Sequence, residues 1–277
     1  MSTKGLMNQK QWIPNNESSE KNSDLIKNLN RIMFASITVA MTVLGVLVGQ
    51  IIIFLLVGLT LGALVIRGVS SASRRVLVDS IGGVDADEDI HARLFNVIDG
   101  LCVVSGDQRP SIRLVDSSYP VAVVAVGEDG EGIVAVSADF INQMDRVEVE
   151  AVMAHLLWRL RMGHPRLVAY LSSLSSIFSK CGLGTVAQRI SERALPQDSV
   201  VWADISACQA TRFPPALVSA LEKSSASHGA VSLGIAESLC FALPAEADSD
   251  TARVRKFSNL SVSRPLIAER IAILKEI

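Results

Sequence analysis

No C-x-x-C pair occurs in this chain, and its four cysteines, Cys102, Cys181, Cys208 and Cys240, stand singly. That spacing argues against a thiolate metal site and against a dense disulfide framework. It suits a reducing compartment in which each thiol is a small buried hydrophobe. An excess of positive charge is also missing: the formal net charge is -2, and no Lys/Arg stripe is interleaved with aromatics. Without a basic surplus to neutralise phosphates, nucleic acid is not expected as a partner. There is no G-x-S-x-G elbow for a nucleophilic serine and no G-x-x-x-x-G-K-[ST] loop for nucleotide phosphates. The Gly82-Gly83 pair, which precedes a helical pattern, reads as a joint between segments.

The most informative absence is local. From Ile32 to Ile66 no residue is charged, and the run is interrupted only by Ser, Thr, Gly and Gln50. A mean hydropathy of +0.37 and a hydrophobic share of 49% are too high for an ordinary soluble enzyme, so part of the apolar content is expected to face lipid. A signal peptide has a core of roughly 7 to 15 residues and does not sit behind a long polar stretch. One helix through the run would measure about 50 Å, against a hydrocarbon core of about 30 Å. A turn at Gly49-Gln50 leaves two short spans, Ile32 to Val48 and Ile51 to Ile66; the alternative is one tilted helix with a frayed end. Both flanks are basic, with Lys21, Lys27 and Arg31 before the run and Arg67, Arg74 and Arg75 after it. A hairpin with both ends in the cytoplasm satisfies both flanks. The organisation expected is a disordered cytoplasmic tail over 1–30, a transmembrane segment over 31–67, a linker over 68–84 and a main cytoplasmic domain over 85–277. The expectation is a multi-pass protein of the cell membrane, with lipid as one partner.

The domain opens on helical spacing, with Ile90, Leu94, Val97, Ile98 and Leu101 on one stripe. Three short β-rich runs follow, Ser111 to Val115, Val121 to Val126 and Ile133 to Val136, separated by turn residues. Asp145 precedes a buried helix over Val147 to Met162, whose one polar inward candidate is His155. Leu167 to Phe178 is apolar but carries too many serines for a lipid-facing span, and reads as a core helix. A last helix is predicted over Pro265 to Glu276. The fold class is α+β and mainly helical, with a small β-sheet.

The run Glu148-Val-Glu-Ala-Val-Met-Ala-His155, followed by Leu156-Leu157-Trp158-Arg159, resembles the active-site helix of HtpX-like membrane metallopeptidases. In that family it reads E-L-E-A-V-L-A-H-E-x-x-H. Trp202-Ala203-Asp204 with Thr211-Arg212-Phe213-Pro214-Pro215-Ala216-Leu217 is similar to the family's E-x-x-A-D helix and the segment after it. The tail from Arg264 to Ile271 is similar to its C-terminal P-P-L-x-x-R-I element. The resemblance covers most of 85 to 277 in the right order, and it implies a zincin-like domain behind a transmembrane hairpin. The family's substrate-edge strand carries P-N-A-F; the matching run here is Pro120-Val121-Ala122-Val123, without the Asn.

The resemblance also shows what has been replaced. An H-E-x-x-H helix places two His at i and i+4 on one Zn²⁺ while the Glu polarises the bound water. Here His155 stands at the first ligand position, Leu156 at the general base, Arg159 at the second ligand and Val200 at the third. A catalytic zinc needs three protein ligands and an open position, and Arg159 would add a permanent positive charge. Asp204 matches a group that orients the first His. His164 stands where the family often carries an acidic residue, and His91 and His228 are distant in sequence. No catalytic residue, cofactor or metal is therefore expected. Arg159 is expected to fill the vacated pocket and pair with Asp204. The resulting expectation is a pseudopeptidase acting as scaffold or regulator of a membrane protein or protease. A membrane zinc endopeptidase with an unorthodox metal site, and a structural membrane subunit, are the competing readings.

Overall fold

The computed structural model describes residues 17–117, 119–195, 198–227, 233–243, 254–257, 260–263 and 265–277, with the backbone alone over 254–263. Two long helices come first, α1 (Glu17–Val48) and α2 (Ile51–Ile81). Both are long and apolar enough to cross a membrane. The chain reverses between them at Gly49, whose φ of 75° lies in the left-handed region that a side chain disfavours. Gln50 N–H then donates to the Gly45 carbonyl at 2.8 Å and closes the end of α1. The two helices approach closely because glycine lines their contact. A Cβ on Gly58 would lie 2.9 Å from Met41 Cβ and 3.1 Å from Thr38 Cα, and one on Gly62 would lie 2.8 Å from the Phe34 ring. In lipid, where tails are as apolar as leucine, such backbone proximity is what favours helix pairing.

Both helices continue past the apolar run. The expected tail over 1–30 falls partly outside the described residues, but from Glu17 onward it is helix, and most of the expected linker over 68–84 belongs to α2. The physical reason is a stripe that the uncharged run overshadows. Leu25, Ile26, Leu29 and Met33 recur at helical spacing and pack on the domain core, while Val69, Leu77 and Ile81 of α2 are buried in it. Two hydrogen bonds fasten α1 to the domain, Asn22 Nδ2 to the Met162 carbonyl and Tyr170 Oη to Asn30 Oδ1, each 2.6 Å.

The domain begins with strand β1 (Val84–Asp85) and helix α3 (Ala92–Ser105), which buries Leu94, Val97 and Ile98 but leaves Ile90 outside the helix and exposed. Strands β2 (Ser111–Val115), β3 (Ala122–Val126) and β4 (Gly132–Ser137) complete a mixed sheet of order β1-β2-β4-β3. β2 and β4 run parallel, and β3 and β4 antiparallel, so β3 forms an edge. Ser137 ends β4 and starts α4 (Ala138–Gln143): its hydroxyl accepts from Phe140 N–H and Val121 N–H and donates to the Tyr119 carbonyl.

Helix α5 (Arg146–Arg161) runs through the centre of the domain and is buried on nearly all sides, surrounded by α3, β3, α6 (His164–Lys180), α8 (Ser199–Thr211) and α9 (Pro214–Ala226). A helix hydrophobic all round is a helix inside a core. α6 is likewise internal, and Ser172, Ser173 and Ser175 are buried in protein as the core-helix reading requires. Helix α7 (Gly184–Ala194) follows α6. A 3-10 turn at Gly234–Leu239 leads into Cys240 and Phe241, a hairpin of β5 (Val254–Phe257) and β6 (Leu260–Ser263) comes next, and α10 (Ile267–Lys275) closes the chain. The mainly helical α+β class, the small sheet and the apolar helical pair are as the sequence predicts.

Gly83 provides a test of the joint between hairpin and sheet. Its φ is 78°, and a Cβ there would run into the Leu114 backbone carbonyl of β2, which cannot swing aside. Gly83→Ala is expected to destabilise the domain by about 1–3 kcal/mol from backbone strain alone, read as a lowered Tm in detergent. An unchanged Tm would mean that the joint is not held in this conformation.

Candidate functional site

His155 lies on α5 with no solvent exposure, and Asp204 on α8 is 1% exposed. Their approach is 2.8 Å between Nδ1 and Oδ1, a short contact whose angle departs from that of an aligned hydrogen bond. The resemblance-based placement of His155 beside Asp204 is therefore what the packing of α5 on α8 produces. His155 Nε2 is buried and has no hydrogen-bond partner among the described residues. The Phe241 ring stands edge-on to the imidazole at 5.2 Å, and closes the site with an apolar surface.

The partner that neutralises Asp204 is Arg270, not Arg159. Arg270 Nε donates to Asp204 Oδ2 and its Nη2 to Oδ1, each at 2.7 Å, the two-pronged geometry that a planar guanidinium gives a carboxylate. Its Nη1 donates to the Phe241 carbonyl at 2.6 Å, so all three nitrogens of a 1% exposed side chain are engaged. The sequence carried a signal for this: on α10 Ile267, Arg270 and Leu274 share one buried face, which puts a guanidinium where the stripe calls for an apolar residue. A buried charge at such a position implies a buried counter-charge.

Arg159, one turn beyond His155, reaches in another direction. Nη1 donates to the Leu239 carbonyl at 3.0 Å and Nη2 to the Ser238 carbonyl at 3.2 Å, with the Cys240 carbonyl 3.4 Å from Nη1. These carbonyls lie at the end of the 3-10 turn, where aligned peptide dipoles concentrate negative charge to which a cation is drawn. The expected Arg159–Asp204 pair is thus replaced by a clamp on the segment before Phe241. Leu156 is fully buried and Val200 is 2% exposed, both as core hydrophobes.

Electrostatics follow from this packing. Burial pushes the His155 imidazole down to about 4, with the Arg270 and Arg159 charges acting in the same sense and Asp204 opposing them. Burial by itself would raise the Asp204 carboxyl, but the Arg270 charge and the contact with His155 outweigh it and hold it at about 2. At neutral pH the site contains a carboxylate, two guanidinium groups and a neutral imidazole. His164, at the start of α6, is also buried, meets the Trp158 ring edge-on at 5.6 Å, and is held down to about 3 by burial and by Arg159. His91 precedes α3, and His228 lies outside the described residues. A further buried acid, Glu148, anchors the start of α5 to α9: Lys223 Nζ and Ser219 Oγ each donate to it at 2.6 Å, and Asp145 N–H at 2.7 Å. Burial would raise this carboxyl, and the three donors together bring it below the usual carboxylate range.

Could zinc be held here? Among the described residues no three His, Cys, Asp or Glu side chains converge on a point. His155 and Asp204 are adjacent, but Asp204 is already taken by Arg270, and a second guanidinium lies next to them. The donor set does not fit a catalytic zinc, which requires three ligands.

No protein-family model matches the chain. Among curated proteins it is similar to several named Protease HtpX homolog. One from Dictyoglomus thermophilum is 26% identical over 160 residues, 47% of this chain and 53% of the relative. One from Halobacterium salinarum is 29% identical over 127 residues, 46% of this chain and 43% of the relative. A third, from Ligilactobacillus salivarius, is 23% identical over 223 residues, 67% of this chain and 71% of the relative. The chain thus spans about half the length of the first two relatives. The chain resembles HtpX-like proteases, and it carries two helices long and apolar enough to cross a membrane.

The buried histidines set a pH profile. Their ordinary value is about 6.5, so in acid the unfolded chain binds protons that folded His155 and His164 refuse. Stability is complete above about pH 6.5 and falls as pH drops towards the folded values of about 4 and about 3. Asp204 acts in the usual carboxylate sense: its contribution is present above about pH 4 and is lost only as pH falls through about 2. Between pH 7 and 5, unfolding free energy is expected to drop by roughly 2 kcal/mol per histidine. Denaturant titrations in detergent at the two pH values check this, with His164→Gln removing about half of the drop. An identical profile in wild type and variant would contradict it.

Proposed function

We propose that this HtpX-like membrane protein is a pseudopeptidase: a zincin-like domain retained as a scaffold or regulator of a membrane protein or protease. The observation that carries the reading is Arg159, whose guanidinium occupies the second-ligand position of the peptidase motif and is engaged by the carbonyls of Ser238, Leu239 and Cys240. It cannot shed its charge. With Leu156 in the place of the general base and Val200 in that of the third ligand, three of the four roles have no group able to perform them.

Substrate access supports the same conclusion. A peptidase of this kind would take its peptide along the free edge of β3, by backbone pairing. That edge is engaged from within the chain: Val123 bridges to Cys240 in antiparallel fashion, and Phe241 N–H donates to the Ala122 carbonyl at 2.8 Å. The segment that Arg159 and Arg270 hold therefore lies where an extended substrate would pair. The chain's surface, rather than a cleft over His155, is left as the means of recognition.

A membrane zinc endopeptidase remains the second reading, because the buried Nε2 of His155 faces no partner among the described residues, as a ligand awaiting a metal would. The test is casein cleavage by the purified chain with added zinc, alongside zinc analysis and a His155→Ala variant. No chelator-sensitive cleavage and no stoichiometric zinc are expected. Chelator-sensitive cleavage that disappears in the variant would establish the enzyme instead.

The hairpin is proposed to cross the membrane twice with the domain in the cytoplasm. Basic residues flank both ends of the uncharged run, and Asn22 and Asn30 before it contact the same domain that follows it. Reporter tags placed before Lys27 and after Ile277 are expected to report the cytoplasmic side together. Opposite sides would require a single crossing.

A further inference from the structure

Where α2 leaves the apolar run, Arg67, Ser70 and Arg74 follow Ala63 at helical spacing along one side of the helix. They line an open cleft of about 650 Å³ whose other walls are Phe34 of α1 together with Leu64 and Ile66. The cleft thus changes character along the helix axis, apolar above Ile66 and cationic from Arg67 to Arg74. Arg67 and Arg74 are exposed and make no ion pair or hydrogen bond among the described residues. Their neighbour Arg75 faces Glu128 at 3.3 Å, and Arg109, Arg113 and Arg161 all have carboxylate partners. Asp129 and Glu128 belong to the adjoining cleft, which shares Ser70 and Arg74 but lies towards β3 and α6.

We propose that this cleft is a binding site for one anionic phospholipid of the leaflet facing the domain. Its phosphate is held by Arg67 and Arg74 with the Ser70 hydroxyl, and its acyl chains lie along Leu64, Ile66 and Phe34. Charge complementarity and the break from apolar to cationic lining at the end of the uncharged run select a lipid over a soluble anion, which would leave the apolar half of the cleft unfilled. Two guanidinium groups 7 residues apart on one helix face, about 10 Å along the axis, suit a phosphodiester and a second headgroup oxygen cluster rather than a single point charge. The proposal rests on the hairpin lying in a bilayer with Arg67 at the domain-side boundary.

The test uses the full-length chain in mild detergent, equilibrated with an equimolar mixture of phosphatidylglycerol and phosphatidylcholine and read by native mass spectrometry. Two arginines at an anionic surface predict roughly 30-fold preferential retention of phosphatidylglycerol. Arg67→Gln with Arg74→Gln is expected to bring retention to parity and each single variant to lower it, whereas Arg75→Gln, which removes one charge outside the cleft, leaves the preference in place. No preference in the wild type, or a preference that survives the double variant, overturns the proposal. So does displacement of the lipid by millimolar inorganic phosphate, which would make the site one for free anions. Flotation with neutral phosphatidylcholine vesicles separates the two premises: a chain that fails to float has lost the membrane placement itself, while one that floats without preference has lost only the lipid site.

Discussion

The Asp204–Arg270 pair is the constraint around which the domain is arranged. Both groups are almost wholly buried, and neither charge could be left alone there, since removing one partner of a buried pair typically costs about 3–5 kcal/mol. Asp204 comes from α8 and Arg270 from α10, so satisfying the pair fixes the chain's last helix against a helix some sixty residues earlier. Each partner has a further obligation. Asp204 also meets His155 of α5, and Arg270 also binds the Phe241 carbonyl. One ion pair therefore sets the relative positions of α5, α8, α10 and the segment that covers them.

In an H-E-x-x-H peptidase the metal supplies such a tie, because its ligands come from more than one helix. Here the tie between α5 and its neighbours is made by guanidinium groups, and the difference in chemistry matters. A zinc ion presents an open coordination position to a substrate; a guanidinium ends in N–H donors that are satisfied by carbonyls already at hand. Arg159 directs its donors to Ser238, Leu239 and Cys240, and the same segment then pairs with β3 through Phe241. The Arg159 clamp and the closure of the strand edge are thus linked by one stretch of backbone.

How far the sequence discloses this depends on the range of the signal. Strands β2, β3 and β4, the buried α5 and the reversal at Gly49-Gln50 follow from local periodicity and from a single left-handed position, and all are read from neighbours within a turn or two. The proximity of His155 and Asp204 needed the resemblance, because nothing local links residues on different helices. For Arg159 the sequence points to Asp204 on charge alone, whereas the guanidinium is engaged by backbone carbonyls, which carry no sequence signature. Arg270 was legible only as an oddity, a guanidinium on the buried stripe of α10. The start of α1 and the end of α2 lie beyond the expected bounds for a similar reason: loss of hydropathy at Arg31 and Arg67 marks the edge of the apolar run, not the end of the helix.

That last distinction bears on how the domain is carried. An anchor joined by a flexible linker would leave the domain free to sample orientations, but α2 runs without a break from Ile51 to Ile81 and buries Val69, Leu77 and Ile81 in the domain core. α1 is bound to the same body through Asn22 and Asn30. Two helices that pass from the apolar run into the core transmit orientation, because bending either would break consecutive backbone hydrogen bonds. The face of the domain nearest the hairpin, which includes the α6 end of the adjoining cleft, is consequently held at a fixed height and angle to the apolar segments. A domain so mounted presents one surface at a fixed orientation to the apolar helices, which favours recognition by a preformed shape over recognition by capture of a flexible chain.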